Sequence, residues 1–322
     1  MKKTRFYIGI FIYCIILSII LIFGSIKNGT NYSGKSLQSA LLNSKYKNSI
    51  NLIKLEFPQD ELIDSIVFTK KDFWKASASG ISFNADTSVL SNMLESFCAT
   101  QDFILLSDEI SSWEQLAITE KDAVHLSFYE SSGGNDTLRS ELYFGKNTAD
   151  YSGVYVRNGK NASVYRIKSD FSTFLSTNVD FWADLSVFQT QSVNLDDTKE
   201  TDIINVSATK YDTNDKTQAA KFYDDGSSEY TSYLRTLFSL KGSDLVRFDD
   251  VISLGISKIL EINATNQSTK SFSVVVYKTS DDADLGSHYF IQFKTDKDAS
   301  YPNYMIEISA WTYKNLLPQS FM

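Results

Sequence analysis

The chain has 322 residues, with 31 Lys and Arg against 39 Asp and Glu and a formal net charge of −8. That balance excludes a binder of nucleic-acid backbones, which needs clustered basic residues to displace counterions. An aromatic content of 14% excludes a disordered chain, and the length suggests about two domains.

The start of the chain is set apart from the rest. Lys2, Lys3 and Arg5 lead into an uncharged run from Phe6 to Phe23, in which thirteen of eighteen residues are Ile, Leu or Phe. At roughly −0.3 to −0.6 kcal/mol each, these side chains favour insertion of a helix by about 6 kcal/mol. Extended to Ile26, such a helix rises about 30 Å, the thickness of a bilayer core. A cleaved signal peptide would need a shorter apolar run and small residues at the cut, and Gly24-Ser25 is preceded by Ile22 and Phe23. Lipidation at Cys14 is disfavoured in the same way, because Phe11, Ile12 and Tyr13 stand before it. The density of basic residues before the run predicts a cytoplasmic N-terminus, with everything after Lys27 extracytoplasmic. The domain organisation expected is therefore a tail and single-pass anchor over 1–27, a juxtamembrane linker over 28–50, and two α+β repeats over 51–186 and 187–322. Within the linker, Leu37, Leu41 and Leu42 suggest a short helix.

In the first repeat, Ile63 to Lys70 and Phe73 to Ala76 are two short strands joined at Lys71-Asp72. Asp86 caps a helix whose apolar positions Val89, Leu90, Met93, Leu94 and Phe97 share one face. Strands follow at Phe103 to Leu106 and Ala123 to Tyr129, and a Gly133-Gly134 hairpin connection leads to Ser140 to Phe144, Gly153 to Arg157 and Ser163 to Ile167. A helical turn from Asp170 through Leu175 closes the unit.

The second half has the same order of elements. Ile203 to Lys210 takes the place of Ile63 to Lys70, and a helix through Tyr230, Tyr233, Leu234, Leu237 and Phe238 that of the first helix. Gly242 ends that helix as a left-handed residue would. Leu245 to Phe248 matches Phe103 to Leu106, and Leu254-Gly255-Ile256 matches Leu116-Ala117-Ile118. Four strands, Ile259 to Ala264, Ser271 to Tyr277, His288 to Phe293 and Tyr304 to Ser309, precede a turn at Trp311. One main helix with a meander in each half implies an α+β fold with the helix packed on a mostly antiparallel sheet. Tandem duplication with its boundary between Asp184 and Asp202 explains this order, and two unrelated α+β domains are the alternative.

Phe73-Trp74, Asn84-Ala85-Asp86, Leu142-Tyr143-Phe144-Gly145, Gly153-Val154-Tyr155-Val156-Arg157 and Val164-Tyr165 together resemble a bacterial domain of unknown function. That domain occurs in membrane-anchored proteins encoded beside ABC-transporter subunits, including auxiliary components associated with gliding motility. The resemblance covers Ile63 to Leu185 and departs from the family pattern in two places. No proline precedes Ala85-Asp86, and Leu116-Ala117-Ile118 stands where the pattern has Gly-Leu. It implies an envelope transport accessory with an ABC permease and ATPase as partners, and it carries over no catalytic residue.

The chemistry available to the chain is sparse. His125 and His288 are its two histidines, and both fall in strand patterns beside apolar residues, as structural or surface histidines do. No Cys/His spacing suits zinc. Gly133-Gly134 lacks the Gly-Lys-Ser/Thr of a phosphate loop. The pairs Asp196-Asp197, Asp224-Asp225 and Asp249-Asp250 and the group Asp281-Asp282-Ala283-Asp284 are expected in solvated turns. The last, with Gly286, faintly resembles a calcium loop but has Phe293 where a bidentate Glu should stand. Trp74 and Trp182 belong either to the core or to a ligand groove. The expectation is a protein with no catalytic, cofactor-binding or metal-binding residue, which binds other proteins of a transport or envelope complex. A module presenting a small solute to a transporter is the second reading, and a carboxylate-based hydrolase the third.

Overall fold

The computed structural model describes residues 36–58, 63–149, 151, 153–159, 161–189, 203–211, 218–223, 228–266, 271–280, 287–295, 302–318 and 321. The expected anchor, Cys14, Asp196-Asp197, Asp224-Asp225 and the Asp281 to Gly286 group lie outside these residues. Among the described residues no helix is long and apolar enough to cross a membrane.

The chain is mostly antiparallel sheet with a few helices, an α+β fold. It runs β1 (Ser36–Ser39), β2 (Leu52–Glu56), β3 (Ser65–Lys70), β4 (Trp74–Ala78), β5 (Ile81–Asn84), α1 (Thr87–Cys98), β6 (Gln101–Ser107), β7 (Val124–Ser132), β8 (Asn135–Asn147), β9 (Val154–Asn158) and β10 (Val164–Ile167). After α2 (Val179–Trp182) come β11 (Ile203–Lys210), β12 (Gln218–Tyr223), α3 (Ser228–Ser239), β13 (Asp244–Arg247), α4 (Phe248–Ile252), β14 (Ile256–Asn266), β15 (Ser271–Thr279), β16 (Tyr289–Thr295), β17 (Tyr304–Ile308) and α5 (Ala310–Leu316). β1 to β10 form a ten-stranded sheet ordered β1-β6-β10-β9-β8-β7-β2-β3-β4-β5, and β11 to β17 a seven-stranded sheet ordered β12-β11-β14-β15-β16-β17-β13.

Seven strands of the first sheet, β6-β10-β9-β8-β7-β2-β3, match all seven of the second, β13-β17-β16-β15-β14-β11-β12, in order and in chain sequence. The first sheet adds β1 at one edge and β4-β5 at the other. This order corrects one expected correspondence. Ile203 to Lys210 sits where β2 sits, beside the second strand after the main helix, and not where Ile63 to Lys70 sits. The two β-branched runs look alike in sequence, but long-range pairing decides their places.

Each main helix covers the inner face of its sheet. The Asp86 carboxylate accepts from the backbone N–H groups of Ser88 (2.8 Å) and Val89 (3.2 Å) and so caps α1. The helix buries Leu90, Met93, Leu94 and Phe97. The Phe97 ring meets Phe128, Phe144 and Phe171 at centroid distances of 5.4, 5.9 and 4.8 Å. In the second half α3 buries Tyr230, Leu234 and Leu237, and Phe188 packs on Phe238 and Phe272. The apolar core runs without a break from one half into the other.

Residues 179–189 join the halves. The Ala183 bridge to Ala85 continues the edge of the first sheet, and the Ser186 bridge to Lys241 engages the second half. The Asp180 carboxylate accepts from the Leu245 N–H at 2.7 Å. Gln189 is buried and accepts at Oε1 from Asn84 (2.7 Å) and from Tyr304 (3.2 Å). Arg247 donates to the carbonyl of Ser79 across the same seam. Asp184 is also buried there, and desolvation pushes its carboxyl above the usual range against the opposing bonds from Ser186.

Three further expectations change. The segment at Leu37, Leu41 and Leu42 is not helical, and residues 36–50 are not a linker. β1 pairs with β6, Leu41 and Leu42 are buried, and a single 3-10 turn covers Ser44–Tyr46. Gly242 does not close α3 in a left-handed conformation. The chain leaves the helix extended, and a Cβ at Gly242 would collide with the Ile306 side chain and the Glu307 carbonyl. Of the two places left open for Trp74 and Trp182, the core is the one they take: they are 3% and 0% exposed, and Trp182 packs on Phe68 at 5.0 Å.

Candidate functional site

Strand alternation builds the site. In β7, Leu126 and Phe128 point in toward α1, so His125 and Ser127 point out. Register then aligns Glu56 of β2, His125 of β7, Tyr143 of β8 and Arg157 of β9 as direct neighbours across four strands. Their side chains form one row on the outer face.

The row is a stack of planar groups. The His125 imidazole lies parallel to the Tyr143 ring at 4.3 Å, and the Arg157 guanidinium lies 3.5 Å from the Tyr143 ring centroid and 4.0 Å from that of Trp113. Trp113 belongs to the segment between β6 and β7, which folds back over the outer face and is pinned by its indole N–H donating to the Ala162 carbonyl at 3.0 Å. Ile118, Ala123, Tyr143 and Val164 form a small second core beneath it. Gly145 is required where this segment crosses, because a Cβ there would collide with the Leu116 carbonyl.

Arg157 is 1% exposed. Its Nε donates to the Ile118 carbonyl at 2.8 Å and its Nη1 to the Gly159 carbonyl, while Nη2 has no partner among the described residues. Burial lowers the Arg157 pKa and raises that of Tyr143, with the Glu141 charge adding to the latter. At the open end, His125 Nδ1 lies 2.6 Å from Glu56 Oε2, and Nε2 lies 3.2 Å from Glu141 Oε1 and 3.1 Å from Ser127 Oγ.

Ser127, His125 and Glu56 thus have the spacing of a nucleophile, a base and an orienting acid. The chemistry does not follow. Ser127 is 1% exposed, and its strand is paired on both sides, which commits the neighbouring N–H groups to the ladder and leaves no donors for an oxyanion. A metal fares no better: Glu56 and Glu141 lie on opposite nitrogens of the ring, and among the described residues no three His, Cys, Asp or Glu side chains converge. His288 has Glu307 at 2.7 Å and is not joined to the His125 group. Asp249 and Asp250 lie in the first turn of α4, where acids favour the helix dipole.

Sequence reasoning singled out His125 but missed Glu56, Tyr143, Trp113 and Arg157 as its companions. The second sheet has the corresponding row, Thr209, Glu261, Val275 and Gln292. There Glu261 binds Tyr211 (2.9 Å) and Lys258 (2.6 Å), and buried Gln292 donates to the Pro302 carbonyl at 3.0 Å. The architecture repeats while the chemistry changes.

Fold and site together define an antiparallel α+β protein whose densest polar group holds the sheet and its covering segment together. A family model described as a domain of unknown function, DUF4340, matches residues 74–270, and the chain belongs to that family. The match starts at β4 and runs through α3 to just past β14, so it includes His125, Tyr143 and Arg157 and extends beyond the first half. An uncharacterised protein of Treponema pallidum (strain Nichols) is 24% identical over 183 residues, which is 56% of this chain and 55% of that protein. The chain therefore spans about half the length of the curated relative it matches. No solved structure matches.

Proposed function

We propose that this is a single-pass membrane protein with a cytoplasmic N-terminus and an extracytoplasmic part that acts by holding other proteins, as an accessory or scaffold of an ABC-type transport or envelope complex. The observation that carries the reading is the apolar run of Phe6 to Phe23 behind a basic N-terminus, joined to a folded region whose strongest polar constellation is spent on internal contacts. A single helix is too little to form a pore, and the serine of the one Ser–His–Glu alignment described above, Ser127, is buried. ATP hydrolysis in such a complex falls to another subunit. The anchor contributes by concentrating the folded part at the membrane, where modest pairwise affinity suffices.

The matching seven-strand orders support a tandem duplication, with repeats over 51–186 and 187–322, the first elaborated by β1, β4 and β5. The cavity beside β1 measures about 160 Å³, below the roughly 300–1,000 Å³ of small-molecule sites, so that cavity does not serve the solute-binding reading. The test is detachment. Deleting residues 1–27 and supplying a cleavable export signal should abolish function in a chain that still unfolds cooperatively. Full function in the detached form would point instead to a freely diffusing enzyme or solute carrier.

A further inference from the structure

The seam between the halves is a short stretch of shared backbone pairing. About the Ala183 bridge to Ala85, the Asp86 N–H donates to the Trp182 carbonyl and the Asp184 N–H to the Asn84 carbonyl, both at 2.8 Å. A few residues on, the Val187 N–H donates to the Leu240 carbonyl at 3.0 Å and the Gly242 N–H to the Leu185 carbonyl at 2.9 Å. One run of chain therefore holds the edge of the first sheet at one end and the approach to β13 at the other.

Asp184 sits in the middle of this run and is 5% exposed. Its N–H is spent on Asn84, its carbonyl accepts from Gln189 Nε2 at 2.9 Å, and its carboxylate Oδ1 accepts from the Ser186 N–H at 3.0 Å. Gln189 in turn accepts from Asn84 and Tyr304, so the carboxyl lies within a network that joins β5 to β17. The charged groups facing it are Asp86, at the start of α1, and Lys241, just before β13. No hydrogen bond or ion pair joins it to Lys241 among the described residues. The Asp86 carboxylate caps α1, where the helix dipole favours a negative charge. Ionising Asp184 thus withdraws a charge from water and sets it against a second carboxylate inside the seam. Burial, aided by the Asp86 charge, outweighs the Ser186 bonds and the Lys241 attraction.

We propose that Asp184 makes this seam respond to pH: with its carboxyl protonated, residues 183–189 lie against residues 84–86, and with it ionised they part from that edge and let the halves change their relative orientation. The apolar core that continues across the seam keeps the halves together, so the change is a local opening. The carboxyl is held above its usual range in the closed seam. The closed form is therefore fully supported in acid and loses that support as pH rises through the folded value. With the folded part outside the cytoplasm, as proposed above, the pH around it follows the surroundings. The response itself belongs to the chain alone and does not require that location.

Hydrogen exchange of the purified full chain in detergent tests it, followed amide by amide from acid to alkaline pH and divided by the exchange of an unstructured peptide of the same sequence. The amides of Asp86 and Asp184 report on the seam. Val276, in the middle of β15 and paired on both sides, is the control. Protection at Asp86 and Asp184 should fall as pH rises, by about tenfold for each unit between the closed and open pKa values of the carboxyl, while Val276 keeps its protection. Asp184→Asn should hold the seam amides at one protection across the range. Asp86→Ser, which keeps a cap on α1 and removes the facing charge, should shrink the fall. Seam protection that does not change with pH in the wild type, a fall that persists unaltered in Asp184→Asn, or one shared equally by Val276 would overturn the proposal. Each of these results would leave the partner-binding reading standing, because none of them involves a partner.

Discussion

Arg157 is the best place to test whether the polar row is a structural clasp. Arg157→Ala removes two hydrogen bonds from a charged donor to the carbonyls of Ile118 and Gly159, each of which then stays buried without its partner at a cost of about 1–3 kcal/mol. It also removes two ring-face contacts, with Tyr143 and Trp113, worth about 0.5–2 kcal/mol each, and leaves a void. Against this, relieving a buried guanidinium of its desolvation recovers several kcal/mol. The balance is a loss of about 4 kcal/mol, or roughly 8–16 °C in unfolding midpoint for a region of this size. Arg157→Met keeps volume and aromatic contact and should cost about half as much. Thermal and urea unfolding of the full chain in detergent would read both. An Arg157→Ala chain within about 1 kcal/mol of wild type would refute the clasp, and equal losses for Met and Ala would show that packing against the rings has no part in it.

Ala117 has a left-handed backbone with φ +52°, and Gly255 takes the corresponding place in the second half at φ +71°. Ala117→Gly should therefore stabilise by about 0.5 kcal/mol once the entropy of the unfolded glycine is counted, and Gly255→Ala should destabilise by about 1–2 kcal/mol; unfolding midpoints would show opposite signs. Burial raises the pKa of the Asp184 carboxyl in the folded state, so the folded chain holds that proton more tightly than the unfolded chain. The stability this group supports is present in acid and lost as pH rises through its folded value. Asp184→Asn should accordingly be more stable than wild type at neutral pH, with the difference fading in acid, as paired denaturation curves across pH would show. Phe97→Ala, which empties the centre of four aromatic contacts, should cost about 3–5 kcal/mol, and a loss under 1 kcal/mol would mean that α1 does not pack as described.

What the sequence revealed follows from where its signals are local. α1 was legible because Asp86 and five apolar residues at helical spacing lie within twelve positions, and the β7–β8 hairpin because Gly133-Gly134 stands between two alternating runs. β1 was not legible, because four residues with one leucine have no periodicity and pairing with β6, some sixty residues away, decides their state. The row at His125 was hidden for the same reason. Its members come from four strands and meet only through register, which no local pattern encodes. One signal was available: an arginine closing the apolar strand Gly153 to Arg157, which needs a buried partner if the strand is covered on both faces. The carboxylate runs were conspicuous by composition, yet the pair within the described residues, Asp249-Asp250, only opens a short helix.

The central claim is that the chain works at the membrane by holding partners. Gentle detergent extraction of the tagged, full-length chain, followed by quantitative identification of what comes with it, tests this most directly. The account predicts a multi-span permease and an ATPase in near-constant proportion to the chain, retained when His125 and His288 are both replaced by Gln and lost when residues 1–27 are removed. A chain recovered alone, or one whose function disappears in a folded His125→Gln, His288→Gln variant, would contradict it.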